Sequence, residues 1–388
     1  MKYNFDEVID RTGTDALKLE ALKPRWGRDD LLPLWVADMD FRTPDFIVDA
    51  VKRCAAHEIY GYSIRGNEWF RALIRWLDRR HGWKTKKDWI VFSPGIVPAI
   101  NMAVLSYTQP GDFIIVQPPV YTPFLEAVKN HGRTLVYNPL KAENGRLNMD
   151  LDDLEQKAAM GAKMLILSSP HNPGGSVWTR DELTALMQIC LRYNMIVFSD
   201  EIHSDLVYPG NQHTVLATLS PEIACKVVTA VAPSKTFNIA GMATSALIIS
   251  DDGLRQRFSK TIEGLHVGLG NLFGNIAAQA AYTYGDKWLD ELLNYLSANL
   301  DLAEAFFKTQ MPQIKMFRPQ GTYLIWLDCR GLNMNDNELR DFMIHKAGLG
   351  LNEGCSFGPG GEGFMRMNVA CPQATLREAL EKLKKAVK

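Results

Sequence analysis

Lys235 lies between two hydroxyl residues, Ser234 and Thr236, just beyond the apolar run Lys226-Val-Val-Thr-Ala-Val231. A lysine at the end of a buried strand can condense with an aldehyde, provided its surroundings keep the amine neutral when it attacks. Read alone, the same lysine is more readily an ordinary solvated charge, so its chemistry depends on what else the chain brings to it. Asp200 ends another strongly apolar run, where an unpaired carboxylate is costly to bury and calls for a cation that the local sequence does not supply. His203, three residues on, reads more readily as a satisfied structural histidine than as a catalyst. Asn172 stands in the rigid turn Ser168-Ser-Pro-His-Asn-Pro-Gly-Gly175, either as a donor toward a ring oxygen of a ligand or as a plain turn asparagine. Tyr121 follows the double proline Pro118-Pro119, which suits a ring held flat against a planar ligand and equally a loop tyrosine packed on the core. Gly95, Ile96 and Val97 open a helical segment, where free backbone N–H groups make a phosphate seat, although a turn into any helix looks similar.

The elements that must position these residues can be read from periodicity. Short apolar or β-branched runs occur at Trp89-Ile-Val-Phe92, Phe113-Ile-Ile-Val116, Met164-Leu-Ile-Leu167, Met195-Ile-Val-Phe198, Lys226-Val-Val-Thr229 and Ser245-Ala-Leu-Ile-Ile249. Segments of helical length separate most of them, such as 179–193, where Thr179 can cap and Glu182 takes the capping-box position. Continuous apolar strands alternating with helices predict an α/β fold with a mostly parallel sheet covered on both faces. Ligands of such sheets bind outside the carboxyl ends of the strands. The segments beginning at Ser93, Gln117, Ser168, Asp200 and Ser234 are therefore expected to converge on one crevice.

Around this large domain, residues 46–285, two further parts are expected. Residues 1–45 carry prolines and tryptophans with little periodicity and read as an arm contributing to the small domain and the active site; its stretch Leu32-Pro-Leu-Trp-Val-Ala-Asp-Met-Asp-Phe41 reads as a short edge strand with solvated aspartates. Residues 286–388 begin with a long helix over 288–309 and continue as a small α+β domain with strands near 323–328 and 364–369 and a final helix over 375–387.

Lysine plus arginine (43) nearly balance aspartate plus glutamate (44), so bulk charge favours neither a nucleic-acid nor a membrane partner and leaves small molecules as the expected ones. The six cysteines form no C-x-x-C pair, and no metal site is expected. Together with the absence of an apolar leader, they point to reduced thiols in a cytoplasmic protein.

A phosphate seat, a stacking ring, an oxygen donor, a buried aspartate and an imine-forming lysine together describe a site for pyridoxal 5'-phosphate. The sequence also resembles the fold-type I, aspartate-aminotransferase-like enzymes that use this cofactor, and within them the cystathionine β-lyase (carbon–sulfur β-lyase) branch. The motifs carrying the resemblance are Trp35-Val-Ala-Asp-Met-Asp-Phe41, Ser169-Pro-His-Asn-Pro-Gly-Gly175, Ser199-Asp-Glu-Ile-His203, Ala232-Pro-Ser-Lys-Thr-Phe-Asn238 and Arg366-Met-Asn-Val-Ala-Cys-Pro372. The resemblance implies that Lys235 holds the cofactor aldehyde and acts in catalysis, and that Asp200 pairs with the pyridine nitrogen. It places Asn172 at the ring hydroxyl, Tyr121 at the stacking position, and Gly95, Ile96, Val97 and Ser234 at the phosphate, with His203 also beside the cofactor. Arg366 matches the arginine that grips the substrate α-carboxylate, alongside Ala37 and Asn172 as substrate contacts. Tyr62 falls in the segment that reaches the partner's phosphate in the family's homodimers. Two departures from the wider family point toward the lyases: His203 replaces a usual tyrosine, and Ala243 replaces a usual phosphate-binding arginine.

The activity implied is β-elimination on cysteine thioethers such as L-cystathionine, giving a thiol, pyruvate and ammonia. An aminotransferase of the same fold is the alternative, and a lyase with a second, regulatory protein-binding role is another. Gly358-Pro-Gly-Gly-Glu-Gly363 fits the dinucleotide-binding spacing literally but precedes a strand and lacks a following helix, which discounts a nicotinamide enzyme.

Overall fold

The computed structural model describes residues 3–387. Its central element is a seven-stranded sheet whose spatial order is Ile90–Ser93, Ser245–Ile248, Val227–Val231, Ile196–Asp200, Met164–Ser168, Phe113–Val116 and Thr134–Tyr137. All pairings are parallel except the two made by Ser245–Ile248. Apart from the edge strand Thr134–Tyr137, the strands are mostly apolar because both faces are covered. Ile114, Val116, Met164, Ile166 and Phe198 enter one core cluster with residues of the Ile96–Tyr107 and Asp252–Leu265 helices. Their alternates Ile115, Leu165, Leu167 and Val197 enter another with the Leu151–Ala159 and Arg180–Arg192 helices, the period-two alternation of a pleated strand. The capping box expected at Thr179 is present, with Thr179 and Glu182 each accepting from the other's backbone N–H.

A second, antiparallel sheet runs Lys315–Phe317, Leu324–Asp328, Phe364–Asn368, Asn352–Glu353. The long Asp286–Gln310 helix and the last helix, Gln373–Val387, pack into one core cluster with it.

Two expectations are corrected. The stretch from Leu32 to Phe41 is strand only at Leu32–Pro33, which pairs in parallel with Leu349–Gly350. Beyond it, side-chain amides replace a strand ladder: Asn368 Nδ2 donates to the carbonyls of Val36 and Asp38, and Asn238 Nδ2 to those of Met39 and Phe41. Nor are its aspartates solvated. Asp38 meets Arg11 at 2.8 Å and Lys18 at 3.3 Å, and Asp40 meets Lys18 at 2.8 Å, with Lys18 itself buried. The edge strand Thr134–Tyr137 went unforeseen because its four residues mix polar and apolar types and are only partly buried. The turn at 358–363 leads into the strand Phe364–Asn368, with no helix to receive a pyrophosphate.

Candidate active site

The carboxyl ends of the sheet strands open into a cavity of about 410 Å³. Gly95, Ile96, Val97, Tyr121, Asn172, Asp200, His203, Ser234 and Lys235 all line it, and Ala37 and Arg366 join from outside the sheet. The expected convergence therefore occurs within a single chain for every candidate residue except Tyr62.

Lys235 sits in the four-residue helical turn Pro233–Thr236 that comes after Val227–Val231. Its Nζ donates to the carbonyl of Ala37 at 2.6 Å. Burial, assisted by the positive Arg366, lowers its pKa to about 8 against the opposing pull of Asp38 and Asp200. At neutral pH the amine is thus far easier to deprotonate than a surface lysine.

Asp200 has the opposite problem. Its Oδ1 accepts the Ile202 N–H at 3.1 Å, but no cation forms an ion pair with it among the described residues. Burial raises its pKa to about 7, only partly offset by the Ile202 N–H and by Lys235. His203 is buried with its Nδ1 unpartnered, and desolvation together with Lys235 and Arg366 holds the imidazole neutral.

Arg366 projects from Phe364–Asn368 and mirrors Asp200 with reversed sign. It donates to Asn172 Oδ1 at 3.0 Å, to the Trp35 carbonyl at 2.8 Å and to Asn352 Oδ1 at 2.7 Å, yet no carboxylate meets it among the described residues and its Nε is unpartnered. Desolvation brings its pKa down to about 10. A buried guanidinium held by three neutral acceptors is prepared for an anion.

Tyr121 and Asn172 are coupled through their backbones, the Tyr121 N–H donating to the Asn172 carbonyl at 3.1 Å. Gly175 closes the Asn172 turn at φ 69°, and a Cβ there would come within 2.3 Å of Pro319, so only glycine fits. At the other end of the cavity, Ile96 and Val97 begin the Ile96–Tyr107 helix, so their N–H groups have no intrahelical partner. Ala243 also lines the cavity, in a left-handed conformation at φ 46°. Lys235 and Arg366 are the only cationic side chains among the described lining residues.

Tyr62 is placed elsewhere. It is 98% exposed and lines an outer groove with Ile59, His57 and Tyr284. Asn352, Trp35 and Tyr323 are functional neighbours that sequence reasoning missed. Asn352 orients Arg366, Trp35 supplies a carbonyl to it, and the Tyr323 hydroxyl donates to the same Ala37 carbonyl that receives Lys235, at 2.9 Å. Asn352 carries no local cue, since its role exists only through the pairing of Asn352–Glu353 with Phe364–Asn368.

The sequence model for aminotransferase class I and II matches residues 29–383. The chain belongs to this family. Its architecture is the fold-type I, aspartate-aminotransferase-like fold. Among curated relatives, cystathionine beta-lyase PatB of Bacillus subtilis (strain 168) is 45% identical over 385 residues, covering 99% of this chain and 100% of that protein. Cystalysin of Treponema denticola, whose crystal structure contains pyridoxal 5'-phosphate, superposes with a TM-score of 0.96 at 37% identity over 100% of this chain and 99% of that one. The pyridoxal-phosphate-bound C-S lyase of Staphylococcus hominis, complexed with the inhibitor L-cycloserine, gives 0.94 at 33% identity with the same coverage.

Proposed function

We propose that this protein is a pyridoxal-phosphate-dependent carbon–sulfur β-lyase acting on cysteine thioethers such as L-cystathionine. One observation carries the reading: a buried carboxylate without a cation, Asp200, and a buried guanidinium without an anion, Arg366, share one crevice with a lysine whose pKa is lowered. A protonated ring nitrogen satisfies the first and an amino-acid carboxylate the second, so the residues fit both cofactor and substrate. In this reading Asp200 holds the ring nitrogen, Asn172 the ring hydroxyl and Tyr121 the ring face. Ile96, Val97, Gly95 and Ser234 hold the phosphate, and His203 stays neutral beside the ring.

When bound, the cofactor supplies an aldehyde for amine capture and a cationic ring that draws the electron pair left behind at Cα. With the cofactor bound, Lys235 would hold its aldehyde and, once free of it, would take the Cα proton in its neutral form as general base. Arg366 fixes the substrate carboxylate with its planar fork, which turns Cα toward Lys235. Ala37 offers its carbonyl as a resting acceptor for the lysine when it is charged. The thiolate would leave Cβ and take a proton from solvent while Lys235 returns the Cα proton to solvent, and one water would complete the release of pyruvate and ammonia. Elimination is favoured over transamination because expulsion of a thiolate needs no second proton delivery by the same lysine, and the 45% identical relative bears a β-lyase name.

We further propose a homodimer. Ile59, Tyr60, Tyr62 and Ile64 are exposed apolar or aromatic residues in one short segment, and the proposed phosphate end has no arginine of its own among the described lining residues. The partner subunit's Tyr62 fits that need as a hydroxyl donor. The parts 1–45, 46–285 and 286–388 serve as arm, cofactor domain and small domain. Among the described residues no helix is long and apolar enough to cross a membrane. A reducing cytoplasm suits the six unpaired cysteines.

The deciding experiment supplies purified, cofactor-loaded protein with L-cystathionine and no 2-oxo acid. Stoichiometric thiol, pyruvate and ammonia over many turnovers are expected. A single turnover that resumes only after 2-oxo acid is added would make the protein an aminotransferase.

A further inference from the structure

Behind the crevice lies a buried polar network that takes no direct part in the proposed reaction. Asp205, on the loop that follows Asp200 and carries His203, accepts the Trp76 indole N–H at 3.0 Å and meets His81 Nε2 at 2.8 Å through its Oδ1. Its Oδ2 accepts the Thr236 hydroxyl at 2.8 Å. Thr236 is fully buried and directly follows Lys235, and it is the last residue of the turn that carries the lysine. The Asp205 and His81 side chains are each only 6% exposed. Burial pushes the Asp205 carboxyl up, but its bonds to His81, Thr236 and Trp76 outweigh this and keep it ionised.

An ionised carboxylate in such a place is a poor way to gain stability, since apolar residues of similar shape do as well or better. What it provides is direction. Three donors from two elements, the helix Asn67–His81 and the lysine turn, are fixed against the loop after the Ile196–Asp200 strand. Apolar packing alone leaves a four-residue turn free to shift by the fraction of an ångström that matters for a reacting group.

We propose that Asp205 is a positioning residue for Lys235, locking the lysine turn through the Thr236 hydroxyl to the loop that follows Asp200 and bears His203. The lysine side chain can then leave the Ala37 carbonyl, act on substrate and return while its backbone stays in place. This inference rests on Lys235 being the lysine that captures the cofactor aldehyde.

The test uses the full-length, cofactor-loaded protein and its apo form. Thr236→Val removes the hydroxyl and keeps the shape. Expected are a fall in kcat of about 10- to 100-fold, the scale of a small misplacement, with KM changed less than about threefold, and a comparable slowing of the visible band that appears when apo protein captures added pyridoxal phosphate. The thermal midpoint should move little, and Thr236→Ser should restore kcat and capture. A valine variant with wild-type kcat and capture overturns the proposal, as does a serine variant that fails to rescue. If the valine chain does not fold, Asp205→Asn carries the same test, and normal capture and kcat in it overturn the proposal. Lys235→Ala separates the two levels: a persistent visible band there removes the assignment of Lys235 itself, whereas its loss beside a normal Thr236→Val removes only the role of Asp205.

Discussion

Asp200→Asn should change the sign of its effect on stability according to whether the cofactor is bound. In the apo protein the Asp200 pKa is about 7 against an ordinary 3.8, because burial penalises the charge. A raised carboxyl pKa means that the folded state holds more protons than the unfolded one between these values, so stability falls as pH rises from about 4 to about 7. Above that window the full penalty is present, on the order of 4 kcal/mol at pH 8 and about 2 kcal/mol at pH 5. The asparagine variant escapes it while its Oδ1 can still accept the Ile202 N–H. With an unfolding entropy of about 0.8 kcal/mol per kelvin for a chain of this length, apo Asp200→Asn should melt about 5 °C above wild type at pH 8 and about 2 °C above it at pH 5. With cofactor bound the order reverses, because the ring cation now pairs with the wild-type carboxylate, and kcat of the variant should fall about 10- to 1,000-fold, the range over which a charge partner moves a neighbour's proton equilibrium. Differential scanning calorimetry of both forms at both pH values, with a turnover assay beside it, measures all of this. Equal midpoints for the two apo proteins at pH 8, or a difference that does not shrink at pH 5, would refute an uncompensated carboxylate at Asp200.

Lys235→Ala should abolish the visible band and nearly all turnover; in wild-type apo protein the rate of cofactor capture should rise with pH and level off above about 8, where the amine is neutral, and a flat profile would show that another lysine reacts. Arg366→Met leaves the substrate carboxylate unpaired, which costs roughly 2 to 5 kcal/mol, or about 30- to 5,000-fold in kcat/KM for amino acids. Cofactor affinity measured by absorbance titration should stay unchanged, and its loss would place Arg366 at the phosphate instead. Tyr62→Phe should weaken cofactor retention on dilution without altering the sedimentation of the dimer, and a fully active wild-type monomer would rule out the shared site.

Much of the site was legible because a parallel sheet makes position along the chain equivalent to position in space: residues just beyond one apolar strand end near the residues just beyond its neighbours. Asp200 and Lys235 end up together because their strands, Ile196–Asp200 and Val227–Val231, lie side by side in the sheet. The rule says nothing of residues delivered from outside the sheet. Arg366 was reached only through its motif, and Asn352 and Tyr323 were not reached at all, since each acts through contacts with residues distant in sequence. Asp38 and Asp40 looked like solvated charges because their partners, Arg11 and Lys18, precede them in a segment without periodicity. Tyr62 could not be placed by one chain's topology, because its proposed target belongs to another copy.

The strap formed by residues 32–41 has a consequence for biosynthesis. It is stitched on one side to the lysine region, through Asn238 and the Ala37 carbonyl, and on the other to Asn368 and Arg366. A nascent chain can assemble the seven-stranded sheet once Ile248 has emerged, but the strap's second edge starts only at Tyr323 and Leu349–Gly350 and is complete only with Asn368, which is 330 positions beyond Asp38. Closing so long a loop costs only about 2 kcal/mol more than closing one a tenth its length, so the delay is one of order rather than of energy. The crevice is therefore completed late in synthesis, and a ribosome-bound chain has its lysine turn at the end of the sheet before the carbonyl on which that lysine rests is held from both sides.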